Sequence, residues 1–326
     1  TSGSQNVAVG SECLDVNTTG STNTGIGRSA LGGNTTGSAN TALGRSALSS
    51  NTTADNNVAV GHNCLAVNTT GTENTSVGTF TLDANTTADY NTALGYQVLT
   101  TNTTGNGNTG VGRKALLMNS TGANNVAVGR QALQDNTTAS SNTAVGYNTL
   151  AANTTGAQNT AVGSTSLDAN TTGIYNSAFG YDTLGSNTTG QANTAIGYEA
   201  MDTNTTGSNN VAVGQGSLDG NTTADHNTAI GYHSLLTNTE GFSNTAVGSL
   251  ALDANTTGDE LVAVGRHALG ANTTANHNTA VGTSSFAANT TGTNNTGCGY
   301  SSGATNTTGG NNTAIGDFAL NANTTA

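Results

Sequence analysis

The chain of 326 residues contains no proline and no tryptophan, and only 7% of its residues are charged, whereas an ordinary globular domain has about 25%. Its 6 lysine and arginine residues against 18 aspartate and glutamate residues give a formal net charge of −12. This leaves too few cations for a phosphate-binding stripe, so nucleic acid is not an expected partner. No run of about 18 apolar residues occurs, so no membrane span is predicted in this segment.

The sequence repeats itself with a fixed period. With Asn6 as position one, the repeats start at residue 6 and at every seventeenth residue to 312, which gives nineteen copies without an insertion. Position five is Gly and position twelve is Asn in every copy, position four is aliphatic in nearly all, and position nine is Leu in most. Such self-similarity is the signature of a stacked repeat architecture.

The predicted elements of one copy, residues 142–158, begin with a strand. The alternation in Asn-Thr-Ala-Val has period two and predicts a short strand, and Gly146 then permits a bend. A second short strand is predicted around Leu150, and the Asn-Thr-Thr-Gly run that begins at Asn153 is typical of a turn. A helical repeat is rejected, because glycine and clustered β-branched residues disfavour helices.

The fold prediction is therefore all-β: a parallel β-solenoid (β-roll) of nineteen 17-residue coils. It is expected to form a single continuous domain over residues 1–326 and to be a segment of a longer fibre. Equivalent residues would stack about 4.8 Å apart. We expect ladders of Val145 and Leu150 to fill the interior, and ladders of Asn142 and Asn153 to stabilise the corners through their stacked amides.

Positions three and eight carry small residues in every copy except Val98 at position eight. Alternation would place them on the outside, opposite positions four and nine. One interpretation is that small residues suit a flat strand. The other is that three solenoids pack side by side through these faces as a homotrimer. A single solenoid stacked end to end into a filament is the alternative assembly.

The pentapeptides NVAVG (6–10, 125–129) and NTAIG (193–197, 312–316) resemble the head repeats of YadA-like trimeric autotransporter adhesins. The complete unit, NTAVGYNTL-x-x-NTTG, also resembles repeats of bacterial and phage tail-fibre-like proteins. The resemblance implies a left-handed β-roll, a homotrimer, exposure at a cell or virion surface, and no catalysis. The period of this chain is longer than the usual repeat of the adhesins, and its Asn-Thr-Thr corner is an addition.

No motif points to an enzyme. Gly105–Gly110 matches a dinucleotide-binding pattern and Gly299–Gly303 matches a nucleophile elbow, but neither precedes a predicted helix. The five histidines are scattered, and no metal site or cofactor is expected. Cys13, Cys64 and Cys298 are interpreted as small apolar residues; Cys13 and Cys64 are expected to lie three coils apart, too far for a disulfide, and Cys298 replaces the aliphatic residue of position four.

Position six concentrates tyrosine and arginine. One interpretation is a ridge that binds glycans or partner surfaces, and the other is that these side chains cover apolar surface while their polar tips stay wet. The candidate ridge residues are Tyr96, Tyr147, Tyr181, Tyr198, Tyr232, Tyr300, Arg113 and Arg130.

Eighteen copies carry an Asn-x-Ser/Thr sequon at position twelve. Two explanations for this recurring sequon remain open: glycosylation of the asparagine, or an unmodified asparagine ladder. Sugars on every coil would be crowded, because neighbouring coils are separated only by the spacing between strands. The candidate glycosylation sites, each with Asp two residues earlier, are Asn17, Asn85, Asn170, Asn204, Asn221 and Asn255.

These features favour a non-catalytic structural or adhesive fibre at an extracellular surface, with itself as partner and with host, surface or glycan ligands. The alternatives are an ice-binding solenoid, because threonine recurs at fixed positions, and a glycan-decorated monomeric solenoid filament. A polysaccharide-processing enzyme would need clustered carboxylates, and the sequence shows no such cluster at one groove.

Overall fold

The computed structural model describes residues 2–325, and it contains no helix in that range. The described residues form two compact units, 2–159 and 160–325. Each repeat contributes one three-residue strand at positions two to four. The strands of the first unit are β1 (Val7–Val9), β2 (Thr24–Ile26), β3 (Thr41–Leu43), β4 (Val58–Val60), β5 (Thr75–Val77), β6 (Thr92–Leu94), β7 (Thr109–Val111), β8 (Val126–Val128) and β9 (Thr143–Val145).

The second unit continues the same pattern. Its strands are β10 (Thr160–Val162), β11 (Ser177–Phe179), β12 (Thr194–Ile196), β13 (Val211–Val213), β14 (Thr228–Ile230), β15 (Thr245–Val247), β16 (Val262–Val264), β17 (Thr279–Val281), β18 (Thr296–Cys298) and β19 (Thr313–Ile315).

Within each unit every strand pairs in parallel with the strand of the following repeat, at an offset of one full period. Val128 pairs with Val145 at the end of the first unit, and Phe179 pairs with Ile196 in the second. The predicted parallel β-solenoid with one coil per repeat is thus confirmed. A single continuous domain over residues 1–326 and a left-handed coil remain predictions.

The orientation predicted for the strand is wrong. From β2 to β19 the central residue at position three is buried, and the flanking residues at positions two and four are half-buried or exposed. Ala144 is fully buried, whereas Val145 is only half-buried and faces outward. The small residues at position eight are also buried, as is Leu150 at position nine. The faces predicted to join three solenoids therefore lie inside a single one.

The interior is narrow because small residues line most of it. A Cβ atom added to Gly110 at position three would lie 2.5 Å from Val98 Cγ1 and 3.7 Å from Leu99 Cδ1, which occupy positions eight and nine of the preceding coil. These three positions therefore form the core. One large side chain per coil, usually Leu, fills it, and no space remains for an aliphatic side chain at position four.

The second predicted strand, around Leu150, is a turn instead. Positions seven, nine and seventeen have left-handed φ angles in non-glycine residues, such as 55° at Asn148, 51° at Leu150 and 60° at Gln158. Gly146 has a φ of 142°, a conformation that residues with a Cβ atom rarely adopt. Backbone hydrogen bonds to neighbouring coils hold this path, as in the bond from Leu133 N–H to the Thr149 carbonyl at 3.0 Å.

Two asparagine ladders support the corners, as predicted. At position twelve, Asn136 Nδ2 donates to Asn119 Oδ1 at 2.7 Å and to the Ala139 carbonyl at 3.0 Å. At position one, Asn142 Oδ1 accepts from the Asn159 N–H at 2.9 Å, and Asn142 Nδ2 donates to the Gly156 carbonyl at 2.9 Å. The amides at both positions are buried in nearly every coil, and both bond the carbonyl of position fifteen in their own coil.

Candidate functional site: an exposed apolar face

Positions two and four of the strands form a flat outward face, which we call the apolar face. Position four carries Val, Ile, Leu, Phe or Cys in all nineteen repeats, and position two carries only Thr, Val or Ser. Neither position has a charged residue in any repeat. The aliphatic side chains at position four are half-buried or exposed, with Leu43 at 45% and Ile196 at 41% of their full accessibility.

The apolar face is not required by the solenoid interior, because positions three, eight and nine already fill it. Monomeric proteins seldom expose a contiguous apolar patch larger than a few hundred Å², and larger patches mark interaction sites. A row of aliphatic side chains that continues through every strand of a unit is such a patch. Sequence reasoning placed this row inside, and so it missed this apolar surface.

Position six lies beside this face, and its tyrosines are about half exposed. Neighbouring side chains stack along the ladder direction: the rings of Tyr181 and Tyr198 are 5.5 Å apart with an angle of 11° between their planes. The Arg130 guanidinium lies 5.4 Å from the centre of the Tyr147 ring. Because the rings of Tyr181 and Tyr198 cover each other's faces, this pair presents ring edges and hydroxyl groups to solvent rather than a flat aromatic platform.

The remaining members of the predicted ridge take the same place in the fold. Tyr96, Tyr147, Tyr232 and Tyr300 are exposed at position six, and Tyr300 meets Phe318 of the next coil edge to face at 5.2 Å. Arg113 is also at position six and is exposed. That this row binds a ligand stays a prediction.

The second unit carries a group of stacked carboxylates at positions seven and ten. Burial is the main cause that raises the pKa of Asp168, Asp202 and Asp219, and repulsion by neighbouring carboxylates adds to it. The pKa of Asp202 reaches about 6. Gly185 lies between these side chains, and a Cβ atom there would be 2.5 Å from Asp202 Oδ1 and 3.0 Å from Asp182 Oδ1. No group of three or more histidine, cysteine, aspartate or glutamate side chains with metal-binding geometry occurs within residues 2–325.

The three cysteines are unpaired and differ in environment. Cys13 and Cys64 are buried at position eight, and burial raises the pKa of both thiols. Cys298 is exposed at position four, on the apolar face. It is therefore the accessible thiol of the three.

The candidate glycosylation sites lie in the asparagine ladder. Five of them are fully buried: Asn85, Asn170, Asn204, Asn221 and Asn255; Asn17 is half-buried. Asn204 Nδ2 donates to Asn187 Oδ1 at 2.8 Å and to the Gly207 carbonyl at 3.0 Å. Both amide protons are thus in use, which favours the unmodified ladder in the folded chain.

No enclosed pocket occurs among residues 2–325, and none of those residues forms a helix long and apolar enough to cross a membrane. No protein-family model matches the chain, and no curated protein is significantly similar to it.

Proposed function

We propose that the chain is a non-catalytic structural or adhesive element of an extracellular surface fibre, and that copies of it associate through the apolar face. One observation carries the proposal: an uncharged row of aliphatic residues and one cysteine faces outward, half-buried or exposed, on every coil although the interior is already full. Burying this row against another surface would supply the hydrophobic driving force of assembly.

A second copy of the chain is the partner that fits this face best. The row repeats at about the 4.8 Å spacing between strands, and a surface with the same spacing can match it along its full length. None of the acidic side chains lies at position two or four. They occupy positions seven, ten, eleven, fourteen, sixteen and seventeen, except Asp317 at position six. Copies could therefore meet through positions two and four while most charges stay in water. The proposed assembly is a homotrimer, with the contact at positions two and four instead of three and eight.

Association is tested by measuring the mass in solution over a range of chain concentrations. We expect an oligomer, and we expect the double variant Val111→Asp/Val128→Asp to dissociate it, because two charges would be buried at the contact. The matched control, Thr104→Asp/Thr121→Asp, adds the same number of charges at exposed position fourteen and should leave the oligomer intact. A monomeric mass for the unaltered chain at every concentration would refute the proposed assembly.

Cys298 offers a second measurement. A spin label on this exposed thiol would report the distance between equivalent positions of two copies, since Cys13 and Cys64 are buried. If copies pack in parallel and in register, the label should show strong dipolar broadening that disappears on dilution with unlabelled chain. A spectrum that dilution does not change would contradict parallel, in-register contact at this face.

Ice binding is the second candidate, and the threonines of position two favour it. Most strands place a threonine hydroxyl beside an aliphatic side chain on one flat face, as Thr92 and Leu94 do in β6. Valine replaces threonine at position two in five of the nineteen coils, which interrupts the hydroxyl row. Thermal hysteresis and ice shaping by the purified chain would support this candidate, and their absence would eliminate it.

The glycan-decorated filament is tested by peptide masses of the protein from its native source. Unmodified masses for the peptides that contain position twelve would exclude decoration, and added hexose masses on position twelve would require the ladder to be open at those coils.

A further inference from the structure

Tyr181 and Tyr198 are the one pair of tyrosines that occupy position six in two successive coils. Their rings are stacked with a distance of 5.5 Å between centroids. Both side chains are exposed, at 50% and 48% of full accessibility. An oxidant in solution can therefore reach either phenol, and each phenol already faces the other.

We propose that Tyr181 and Tyr198 form a site of oxidative cross-linking, at which hydrogen peroxide and a haem peroxidase join the two rings into a dityrosine bridge between neighbouring coils. The peroxidase removes one electron and one proton from each phenol. The two radicals then couple through a new carbon–carbon bond between ring carbons ortho to the hydroxyl groups. The ortho hydrogens move to the oxygens and restore both phenols, while the peroxide is reduced to two molecules of water.

The backbone fixes the distance between the rings. The Glu199 N–H donates a hydrogen bond to the Tyr181 carbonyl at 3.0 Å. The residue that follows Tyr198 is thus hydrogen-bonded to the backbone of Tyr181. Two residues earlier, Phe179 and Ile196 are paired in the parallel ladder. Reacting groups held in this way couple as an intramolecular pair, which is far faster than the meeting of separate tyrosines.

Glu199 follows Tyr198 directly in the chain, and interaction with its carboxylate is the main cause that raises the pKa of Tyr198. A carboxylate in this place can accept the phenolic proton as the electron leaves. Tyr181 would release its proton to water, since its side chain is exposed.

The bridge would close a covalent loop of one repeat between neighbouring coils. Such a cross-link restricts the unfolded chain and opposes separation of the two coils. The proposal does not depend on how copies of the chain associate, because both tyrosines belong to the same chain and the same unit.

The test treats the full-length chain with hydrogen peroxide and a haem peroxidase and maps the peptides after cleavage on the N-terminal side of aspartate. Cleavage before Asp182 separates the two tyrosines, so a bridge appears as two linked peptides that together lack two hydrogen atoms. We expect this species together with dityrosine fluorescence, and we expect Tyr198→Phe, which keeps the stacked ring, to abolish both.

Tyr175 is the matched control. It is exposed and lies on the same peptide as Tyr181 after cleavage, but it is at position seventeen. Tyr175→Phe should leave the yield of the bridge unchanged. A mixture of ¹⁵N-labelled and unlabelled chains should give only linked peptides of uniform labelling. The proposal is overturned if no linked peptide forms, if Tyr175 couples as well as Tyr181 does, or if mixed-label links predominate.

Discussion

Some interior side chains of neighbouring coils compensate for each other's size. In some coils where position eight is larger than alanine, position three of the next coil is glycine. A Cβ atom on Gly25 would lie 2.6 Å from Cys13 Sγ, and one on Gly110 would lie 2.5 Å from Val98 Cγ1. Phe286 replaces leucine at position nine, and both Gly297 and Gly303 make room for its ring. Large and small side chains thus balance between coils, as dense packing requires.

Size compensation between coils predicts that a second substitution can restore the stability lost in a first one. Gly110→Ala should lower the free energy of unfolding by about 1–3 kcal/mol, because the added methyl group overlaps Val98 in a packed interior. The double variant Val98→Ala/Gly110→Ala should recover most of that loss. Chemical denaturation of the four proteins in this mutant cycle measures the coupling. Additive effects of the two substitutions would show that these side chains do not share one space.

The outward orientation of position four predicts unequal effects for two adjacent residues. Ala127 is fully buried, so Ala127→Asp should strongly lower the free energy of unfolding by placing an unpaired charge in the interior. Val128 is 36% exposed, and for Val128→Asp we expect a loss of about 1 kcal/mol or less from a dissociated chain. Thermal unfolding at low chain concentration would compare the stabilities of these two variants. A severe loss for Val128→Asp under those conditions would mean that position four belongs to the core.

Within the repeating coil, the asparagine ladder supplies hydrogen bonds that the backbone cannot make at a tight corner. Asn119 donates to Asn102 Oδ1 at 2.9 Å and to the Gly122 carbonyl at 2.9 Å, and it accepts from Asn136 Nδ2. Asn119→Ala should lower the free energy of unfolding by about 2 kcal/mol, because buried partners on both sides lose hydrogen bonds.

Thr121→Ala is the control for this ladder, because it alters the same corner at an exposed side chain. Its effect on the free energy of unfolding should stay within about 0.5 kcal/mol. In Asn119→Ala, faster hydrogen exchange should be confined to the coils next to residue 119. Equal effects of the two substitutions would indicate that the ladder contributes no more than surface threonines do.

Hydrogen bonds between neighbouring coils also form at position sixteen. Its N–H donates to a side chain of the equivalent residue in the next coil, as from Ser208 N–H to Asp225 Oδ1 at 2.6 Å and from Ser21 N–H to Ser38 Oγ at 3.1 Å. This explains why Ser, Asp, Asn and Thr are frequent there. The preference is visible in the sequence once the stack is known.

The period, the parallel strands and the asparagine ladders could be predicted from sequence, because each leaves a regular residue at a fixed position. The inward side of the strand could not be deduced from regularity alone, since Ala144 and Val145 belong to equally regular rows. Assigning the larger side chain to the core ignored how little space one coil encloses. The pairing of Val98 with Gly110 was the signal that identifies position three as interior. The second strand was wrongly predicted because left-handed φ angles in residues such as Leu150 have no sequence signature.

Along the full chain, charge is unevenly divided: residues 160–326 carry eleven of the 18 carboxylates but one of the six cations. Burial, and then repulsion by Asp182 and Asp219, raise the pKa of Asp202 to about 6 from the usual 3.8. The folded chain then binds the proton more tightly than the unfolded chain. Ionised Asp202 therefore costs stability above about pH 6, and this cost is relieved as the pH falls toward about 4.

We therefore expect the second unit to become more stable between about pH 7 and pH 5, by roughly 1 kcal/mol once the shift is discounted for solvent exposure. Asp202→Asn should be more stable than the unaltered chain near pH 7 and should lose the part of this pH dependence that Asp202 supplies. Urea denaturation at several pH values provides the measurement.

Asp83→Asn is the control for this titration, because Asp83 occupies the same repeat position in the first unit. It should alter the pH dependence less, since burial is the only cause that raises the pKa of Asp83, without repulsion from other carboxylates. A stability that falls steadily from about pH 7 to pH 5 in the unaltered chain would contradict the prediction.

Hydrogen-bonded partners in neighbouring coils are separated by one full repeat of sequence. This spacing determines which changes in the length of the gene the fold can tolerate. Duplicating or deleting a block of codons that encodes one repeat leaves every remaining residue opposite a counterpart of the same position, so the altered chain can close its ladder again. Losing a single codon displaces all later positions by one and turns buried alanines outward. Unequal recombination between such similar blocks therefore yields offspring genes whose products differ in length by complete coils, and selection can adjust the reach of the protein without redesigning any contact.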